Sequence, residues 1–258
     1  VPRWFLATLL LPEGSTTPAL VDNIFTGLTD ACTELDVTLC GGHTEITHGL
    51  SRPIIIGQML GEADADQVVS AADTLVGDDI ILTKGIAIEA TALIAIEKAD
   101  ELRGEYSESF FTRCSNYLTD PGISVVRDAR IAAETGGVHA MHDPTEGGLA
   151  GGLCELATAA GAGLLLEADR VLILPETETL CRRYGLDPLG TIASGALLMT
   201  VDPTFTSSII KRLADADIAA EKIGVIQDAA FGCKMKRRGT VSDLPTFNRD
   251  EIGKIFEQ

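Results

Sequence analysis

The stretch Asp143-Pro144-Thr145-Glu146-Gly147-Gly148-Leu149-Ala150-Gly151-Gly152 constrains this chain more than any other. Glycines at a helix start cost on the order of 1 kcal/mol each relative to alanine. Even so, an amphipathic pattern runs on from them through Leu153, Leu156 and Ala157. Such a start either packs its backbone closely against a neighbour or leaves its first N–H groups open to an anion. The residues alone leave both readings open. Asp143 is expected to cap the helix, with Thr145 as the alternative cap. The apolar run 138–141 is the strand that delivers the chain to this turn.

The rest of the sequence alternates in the same way. Residues 4–11 are a continuous apolar run and read as a buried strand. Thr17 can cap a helix with Pro18 at its first position, and Leu20, Ile24, Leu28, Cys32 and Leu35 follow on one face. Residues 37–40 form a short strand leading into a Gly41-Gly42 turn, and 53–60 form another strand. The acidic, alanine-rich stretch 62–78 carries few large side chains and marks a boundary near residue 72. The expected domains are therefore 1–72 and 73–258. In the second, strands are expected at 79–82, 138–141, 164–167, 171–174, 196–201 and 222–226. Helices are expected at 86–99, 107–117, 123–134, 148–160, 175–184, 204–216 and 250–256. Alternating strands and helices make a mixed α/β protein of two lobes.

Charge and cysteine usage narrow the function classes. The formal net charge of −18 argues against nucleic acid or anionic lipid as the main partner. A polyphosphate bound here would need Mg²⁺ and local N–H donors. No run of about eighteen apolar residues occurs, so no membrane-spanning helix is expected. The six cysteines include no Cys-x-x-Cys pair and read as reduced core cysteines of a cytoplasmic protein.

Three segments could carry chemistry. Gly41-Gly42-His43-Thr44-Glu45 puts an imidazole, a hydroxyl and a carboxylate within three residues, beside backbone that a ligand can approach closely. Glu45 is a hard oxygen ligand suited to Mg²⁺, and Thr44 suits a phosphate oxygen. A tight turn with a satisfied histidine is the plainer reading of the same residues. Thr83-Lys84-Gly85 ends a strand, and a lysine there can neutralise phosphate. The spacing is neither a P-loop nor a dinucleotide fingerprint. The third segment is Asp143 to Gly152, where His142 could also reach a ligand. His139 reads as structural. Lys234, Lys236, Arg237 and Arg238 read as a solvated strand face.

Taken together, Gly41-Gly42-His43-Thr44-Glu45, Ile80-Ile81-Leu82-Thr83-Lys84, Asp143-Pro144-Thr145-Glu146-Gly147-Gly148-Leu149 and Ser194-Gly195-Ala196-Leu197 resemble the aminoimidazole-ribonucleotide (AIR) synthase superfamily in order and spacing. That superfamily includes selenophosphate synthetase, thiamine-monophosphate kinase and the HypE-type hydrogenase expression/formation proteins, and the HypE-type branch is the nearest in look. The resemblance covers essentially the whole chain. It implies a two-domain AIR-synthase-like fold and a homodimer whose N-terminal sheets join into a barrel. It also implies ATP and Mg²⁺ in a groove between domains and subunits, with phosphoryl transfer from ATP activating a small substrate. A maturation partner protein fits the same picture. By position, Gly41, Gly42, Thr44 and the metal ligand Glu45 would lie at the nucleotide–metal end. Asp143, Thr145, Gly147 and Gly148 would lie at the anion end, with Lys84 and His43 as catalytic candidates.

The departures carry expectations too. Family members have a glycine-rich segment with metal-binding aspartates ahead of the strand that Trp4 begins, so the N-terminal domain is expected to be incomplete here. HypE-type members that make the cyanide ligand of hydrogenases end in a reactive cysteine. This chain ends Ile255-Phe256-Glu257-Gln258, and thiocarboxamide chemistry is not expected at its own C-terminus. His43 stands where kinase-like and HypE-type members carry an acid, and Glu146 where HypE-type members carry arginine. A non-catalytic assembly protein of the same fold and a selenophosphate-synthetase-like enzyme are the alternatives.

Overall fold

The computed structural model describes residues 1–65 and 68–256. Part of the acidic stretch 62–78, and Glu257 and Gln258 at the chain end, lie outside the described residues. Among the described residues, ten strands form two sheets, and the chain divides into a unit Val1–Val68 and a unit Val69–Gln258.

The first unit is a three-stranded sheet with one helix. β1 (Pro2–Pro12) is central. The helix α1 (Pro18–Glu34) follows, then β2 (Thr38–Thr47) parallel to β1, then β3 (Ile54–Gly61) antiparallel to it. α1 starts as its sequence dictates: the Thr17 hydroxyl accepts the Leu20 N–H at 3.2 Å, with Pro18 at the first position. Side chains alternate across a strand. Ala7, Leu9 and Leu11 therefore point together toward Val21, Ile24 and Leu28 of α1 and are at most 4 % exposed. Trp4, Leu6, Thr8 and Leu10 point to the opposite face.

The second unit is built on a seven-stranded mixed sheet of order β10-β9-β6-β8-β4-β7-β5. In chain order its elements are β4 (Asp79–Thr83), α2 (Ile88–Glu97), α3 (Ala99–Leu102), α4 (Glu108–Asn116), α5 (Val126–Thr135), β5 (Val138–His142), α6 (Gly148–Ala160) and β6 (Gly163–Glu167). They continue with α7 (Pro175–Tyr184), β7 (Leu198–Val201), α8 (Pro203–Ala214), β8 (Ala220–Gln227), β9 (Cys233–Arg237), β10 (Thr240–Asp243) and a 3-10 helix, Glu251–Phe256. Alternation again sorts the core. Ile80 and Leu82 of β4 meet Leu149, Leu153 and Leu156 of α6 on one face. Ile81 meets Ala132 of α5 and Ile209 and Leu213 of α8 on the other. α2, α4 and α7 form a further apolar cluster around Leu102, Phe110, Phe111 and Leu180.

Several expectations need correction. Gly41 and Gly42 are not a turn: they lie inside the continuous strand β2, at a register shift where Cys40 is the extra residue opposite Phe5 and Leu6. Residues 171–174 form no strand, although their apolar pattern resembles one. The helix expected from residue 86 starts at Ile88 and breaks at Lys98. The terminal helix is 3-10. The cysteines are free, and Cys40 is exposed.

Candidate functional site

The candidate residues fall into two sets, one in each unit. In the first unit the geometry comes from β2. It is an edge strand, so one side of its backbone has no strand partner in the sheet. Gly42 sits at φ +137°, and a Cβ there would stand 1.9 Å from the Ala7 carbonyl oxygen, so only glycine permits β1 and β2 to approach. At Gly41, by contrast, a Cβ would meet nothing within 4 Å, which leaves open space beside the backbone.

The strand conformation separates the three functional side chains. His43 and Glu45 share a face, with Nε2 and Oε2 3.7 Å apart and both side chains mostly exposed. Thr44 lies on the other face, in register with Leu9. The imidazole and carboxylate therefore lie side by side, and the hydroxyl stands on the other face. In register, His43 is paired with Thr8 and Glu45 with Leu10, so both stand on the face that α1 leaves uncovered. His48, just beyond β2, pairs with Glu13 at 2.7 Å at the surface. Among the described residues no group of three or more His, Cys, Asp or Glu is poised to hold a metal ion.

In the second unit, Lys84 does not face solvent. It is 5 % exposed, and its Nζ donates to the Ser124 carbonyl at 2.7 Å and the Gly122 carbonyl at 3.2 Å, 3.5 Å from Asp128 Oδ1. Asp128 also accepts the Thr83 hydroxyl at 2.6 Å, and Thr83 Oγ1 accepts the Leu197 N–H at 3.0 Å. Burial pushes the Lys84 ammonium below its ordinary value, while the Asp128 carboxylate pulls it back up. The lysine thus ties the loop 122–124 to the end of β4.

The α6 start also differs from its expected form. Neither Asp143 nor Thr145 caps the helix. The capping residue is Gly147, at φ +79°, with no side-chain cap of its own. The Gly147 N–H instead donates 2.8 Å to Asp250 Oδ2, contributed from 103 residues further on. The other oxygen of Asp250 accepts the N–H groups of Ile192 at 3.2 Å and Ile252 at 2.9 Å. Gly148, at φ +64°, is a packing glycine: a Cβ there would stand 2.6 Å from the Leu189 carbonyl oxygen. Asp143, Thr145 and Glu146 remain exposed around this turn. The Glu146 carboxyl is held below the usual carboxylate range by its own backbone N–H and the Thr145 hydroxyl.

Segment 191–196 links the two motifs of this unit. The Ala193 N–H donates to the Thr145 carbonyl at 3.3 Å. Gly195, at φ +103°, lies where a Cβ would be 3.1 Å from the Gly122 carbonyl that Lys84 also binds. Sequence reasoning missed Asp128 and Asp250 because neither stands in a motif. Of the histidines here, His142 binds Glu155 at 3.1 Å and His139 binds Asp78 at 2.8 Å, the latter a structural contact.

The comparisons with known proteins follow the same division. Residues 1–63 match the AIR synthase related protein, N-terminal domain, and residues 76–233 match the AIR synthase related protein, C-terminal domain. The chain belongs to the AIR synthase related family. Within it, the chain is 27 % identical over 194 residues to a putative hydrogenase expression/formation protein of Methanocaldococcus jannaschii, covering 75 % of this chain and 54 % of that protein. It is 25 % identical to carbamoyl dehydratase HypE of Cupriavidus necator, covering 92 % and 66 %. It is 26 % identical to selenide, water dikinase of M. jannaschii, covering 80 % and 60 %. The chain thus spans 54–66 % of the length of these relatives. Among solved structures, the hydrogenase maturation protein HypE in complex with ATP superposes with a TM-score of 0.81 at 19 % identity, over 97 % of this chain and 75 % of that one. HypE in a HypE–HypF complex gives 0.71 at 18 % identity, over 95 % and 78 %. The AIR-synthase-like mixed α/β fold is therefore shown. Among the described residues, no helix is long and apolar enough to cross a membrane.

Proposed function

We propose that this chain is part of an ATP- and Mg²⁺-dependent enzyme of HypE type. It would activate a small carboxamide or phosphate-accepting substrate by phosphoryl transfer from ATP, in the maturation of a metalloenzyme such as a hydrogenase. The observation that carries the reading is the match, over 97 % of this chain, to a HypE structure in complex with ATP. Relatives named carbamoyl dehydratase HypE support it.

The residues on β2 fit such a ligand. The open space at Gly41 leaves room for a phosphate chain beside β2, where Gly41, Gly42 and Thr44 are the proposed nucleotide contacts. Mg²⁺ binds through one or two carboxylates together with phosphate oxygens and waters, so the single exposed carboxylate of Glu45 suffices as its protein ligand. When bound, the metal supplies charge neutralisation at the phosphates. His43, 3.7 Å from Glu45, is assigned as a catalytic candidate at this end. Asp143 and Thr145, exposed at the α6 start, are the candidates kept for the anion end, because the Gly147 N–H already serves Asp250 and Gly148 serves packing. Lys84 serves as a positioning residue that holds the loop 122–124.

A homodimer is part of the proposal. The face of the first sheet opposite α1 exposes Trp4, Ile54, Ile56 and Leu60. A contiguous apolar face of this kind favours a second copy over water. A protein partner in maturation is proposed from the HypE–HypF complex that shares this fold. Calorimetric titration of ATP–Mg²⁺ into the full-length protein tests the reading. Saturable heat, reduced by Glu45→Ala, is expected. Absence of heat, with Glu45→Ala unchanged, would sink it. The likeness to selenide, water dikinase favours a second reading. AMP release from ATP stimulated by selenide, and not by a carboxamide substrate, would select it.

A further inference from the structure

A cleft of about 820 Å³ opens in the second unit, lined by residues of α7, of the β9–β10 turn and of the C-terminal 3-10 helix. None of the candidate residues above lines it. Its volume lies in the range that holds small organic ligands. Arg182, Arg237, Arg238 and Lys254 line it together with Asp169, Glu178, Asp187 and Glu251, and Leu186 and Phe247 add apolar surface.

Charge accounting singles out two of these cations. Each carboxylate that lines the cleft has a donor, but only Glu178 and Glu251 are paired with a cation, while Asp187 and Asp169 accept backbone N–H groups. Glu178 binds Arg182 at 2.8 Å, and Glu251 binds Lys254 at 2.5 Å and the Asp187 N–H at 3.0 Å. Asp187 accepts the Leu189 N–H at 3.0 Å, and Asp169 accepts the Arg238 N–H at 2.7 Å. Among the described residues, the guanidinium groups of Arg237 and Arg238 have no carboxylate partner.

The frame around these arginines is also fixed in place. Arg238 sits at φ +49°, in the left-handed region, and Asp169 holds its backbone N–H. Phe247 packs on Gly190, where a Cβ would stand 2.5 Å from the ring. We infer that this cleft binds an organic phosphate: a small molecule with at least two negative charges and a planar apolar part. Guanidinium forks match phosphate oxygens in geometry and charge, and the Phe247 side of the cleft suits a ring. The inference stands apart from the proposed nucleotide–metal site on β2.

Arginine-selective labelling with phenylglyoxal on the full-length protein, read by peptide mass spectrometry, locates the site directly. Inorganic pyrophosphate, ADP and adenosine serve as probes. Protection of Arg237 and Arg238 by pyrophosphate and, at lower concentration, by ADP is expected, with none by adenosine. In calorimetry, R237A/R238A should weaken pyrophosphate binding at this site at least about tenfold. K234A/K236A removes the same charge from strand positions outside the cleft and should leave it unchanged. Equal labelling with and without the phosphates, or equal loss in both double variants, would overturn the inference. Because the labelling reads these two arginines alone, its outcome is separate from whether ATP binds on β2.

Discussion

The carboxylate of Asp250 lies 2.8 Å from the backbone N–H of Gly147, and so caps helix α6 from 103 residues away in sequence. The same side chain also receives the N–H groups of Ile192 and Ile252. One acidic residue near the C-terminus therefore satisfies three backbone donors in three segments. Asp250→Ala leaves those donors without their acceptor. The expected loss is about 2–4 kcal/mol in urea unfolding. A loss below about 0.5 kcal/mol would show that the contact contributes nothing net.

The glycines of the two motifs should separate by experiment. Gly148→Ala places a methyl 2.6 Å from a backbone carbonyl at φ +64°, and neither the carbonyl nor the helix can yield cheaply. It should destabilise by about 2 kcal/mol or more. Gly41→Ala meets nothing within 4 Å. It should leave the thermal midpoint within about 2 °C, yet weaken ATP–Mg²⁺ binding if the nucleotide approaches the strand edge there. Unchanged affinity in a stable Gly41→Ala protein would remove Gly41 from the proposed site.

Lys84 and Asp128 form a buried pair, 5 % and 2 % exposed. Lys84→Met strands the Asp128 charge in the core and should cost about 3–5 kcal/mol. Adding Asp128→Asn removes that charge and should restore a substantial part of the loss. Denaturant unfolding of the two single variants and the double variant measures the coupling. Additive losses would refute a paired arrangement.

Stability should fall on the alkaline side. Burial pushes the thiols of Cys114 and Cys181 up to about 12 and that of Cys154 up to about 11, from an ordinary value of 9.0. The folded chain keeps protons that the unfolded chain releases, so this stabilisation is complete below pH 9 and lost as pH rises through 9 toward 12. Lys84 acts in the opposite sense, because burial lowers its value and favours losing its proton in the fold. Three thiols outweigh it. Urea midpoints taken between about pH 8 and pH 10 should decline, and Cys181→Ala should flatten the slope. A flat or rising profile in the unsubstituted protein contradicts the assignment.

Much of the architecture was legible because it follows from local rules. The Thr17–Pro18 start of α1, the Pro175 start of α7 and the Gly161 stop of α6 are set by short-range backbone chemistry. The buried face Leu149, Leu153, Leu156 follows from helical period alone. Residues 171–174 misled because a short apolar run is compatible with a strand but does not by itself provide a partner to pair with. The Gly41-Gly42 pair misled in the same way. Glycines mark turns, but they equally mark a bulge where two strands crowd, and only the Ala7 carbonyl distinguishes the two.

Most helices and core strands, the α/β class, the family resemblance and the short segments that could carry chemistry were readable along the chain. Period, capping and motif spacing act over a few residues and can be read along the chain. The tertiary structure decided the rest. It put Thr44 on the opposite face from His43 and Glu45, since strand alternation matters only once β2 is known to be a strand. It buried Lys84 against Asp128 and two carbonyls. It also gave the Gly147 N–H to Asp250, because a hydrogen bond is chosen by distance in space, and 103 residues of chain separate that donor from its acceptor.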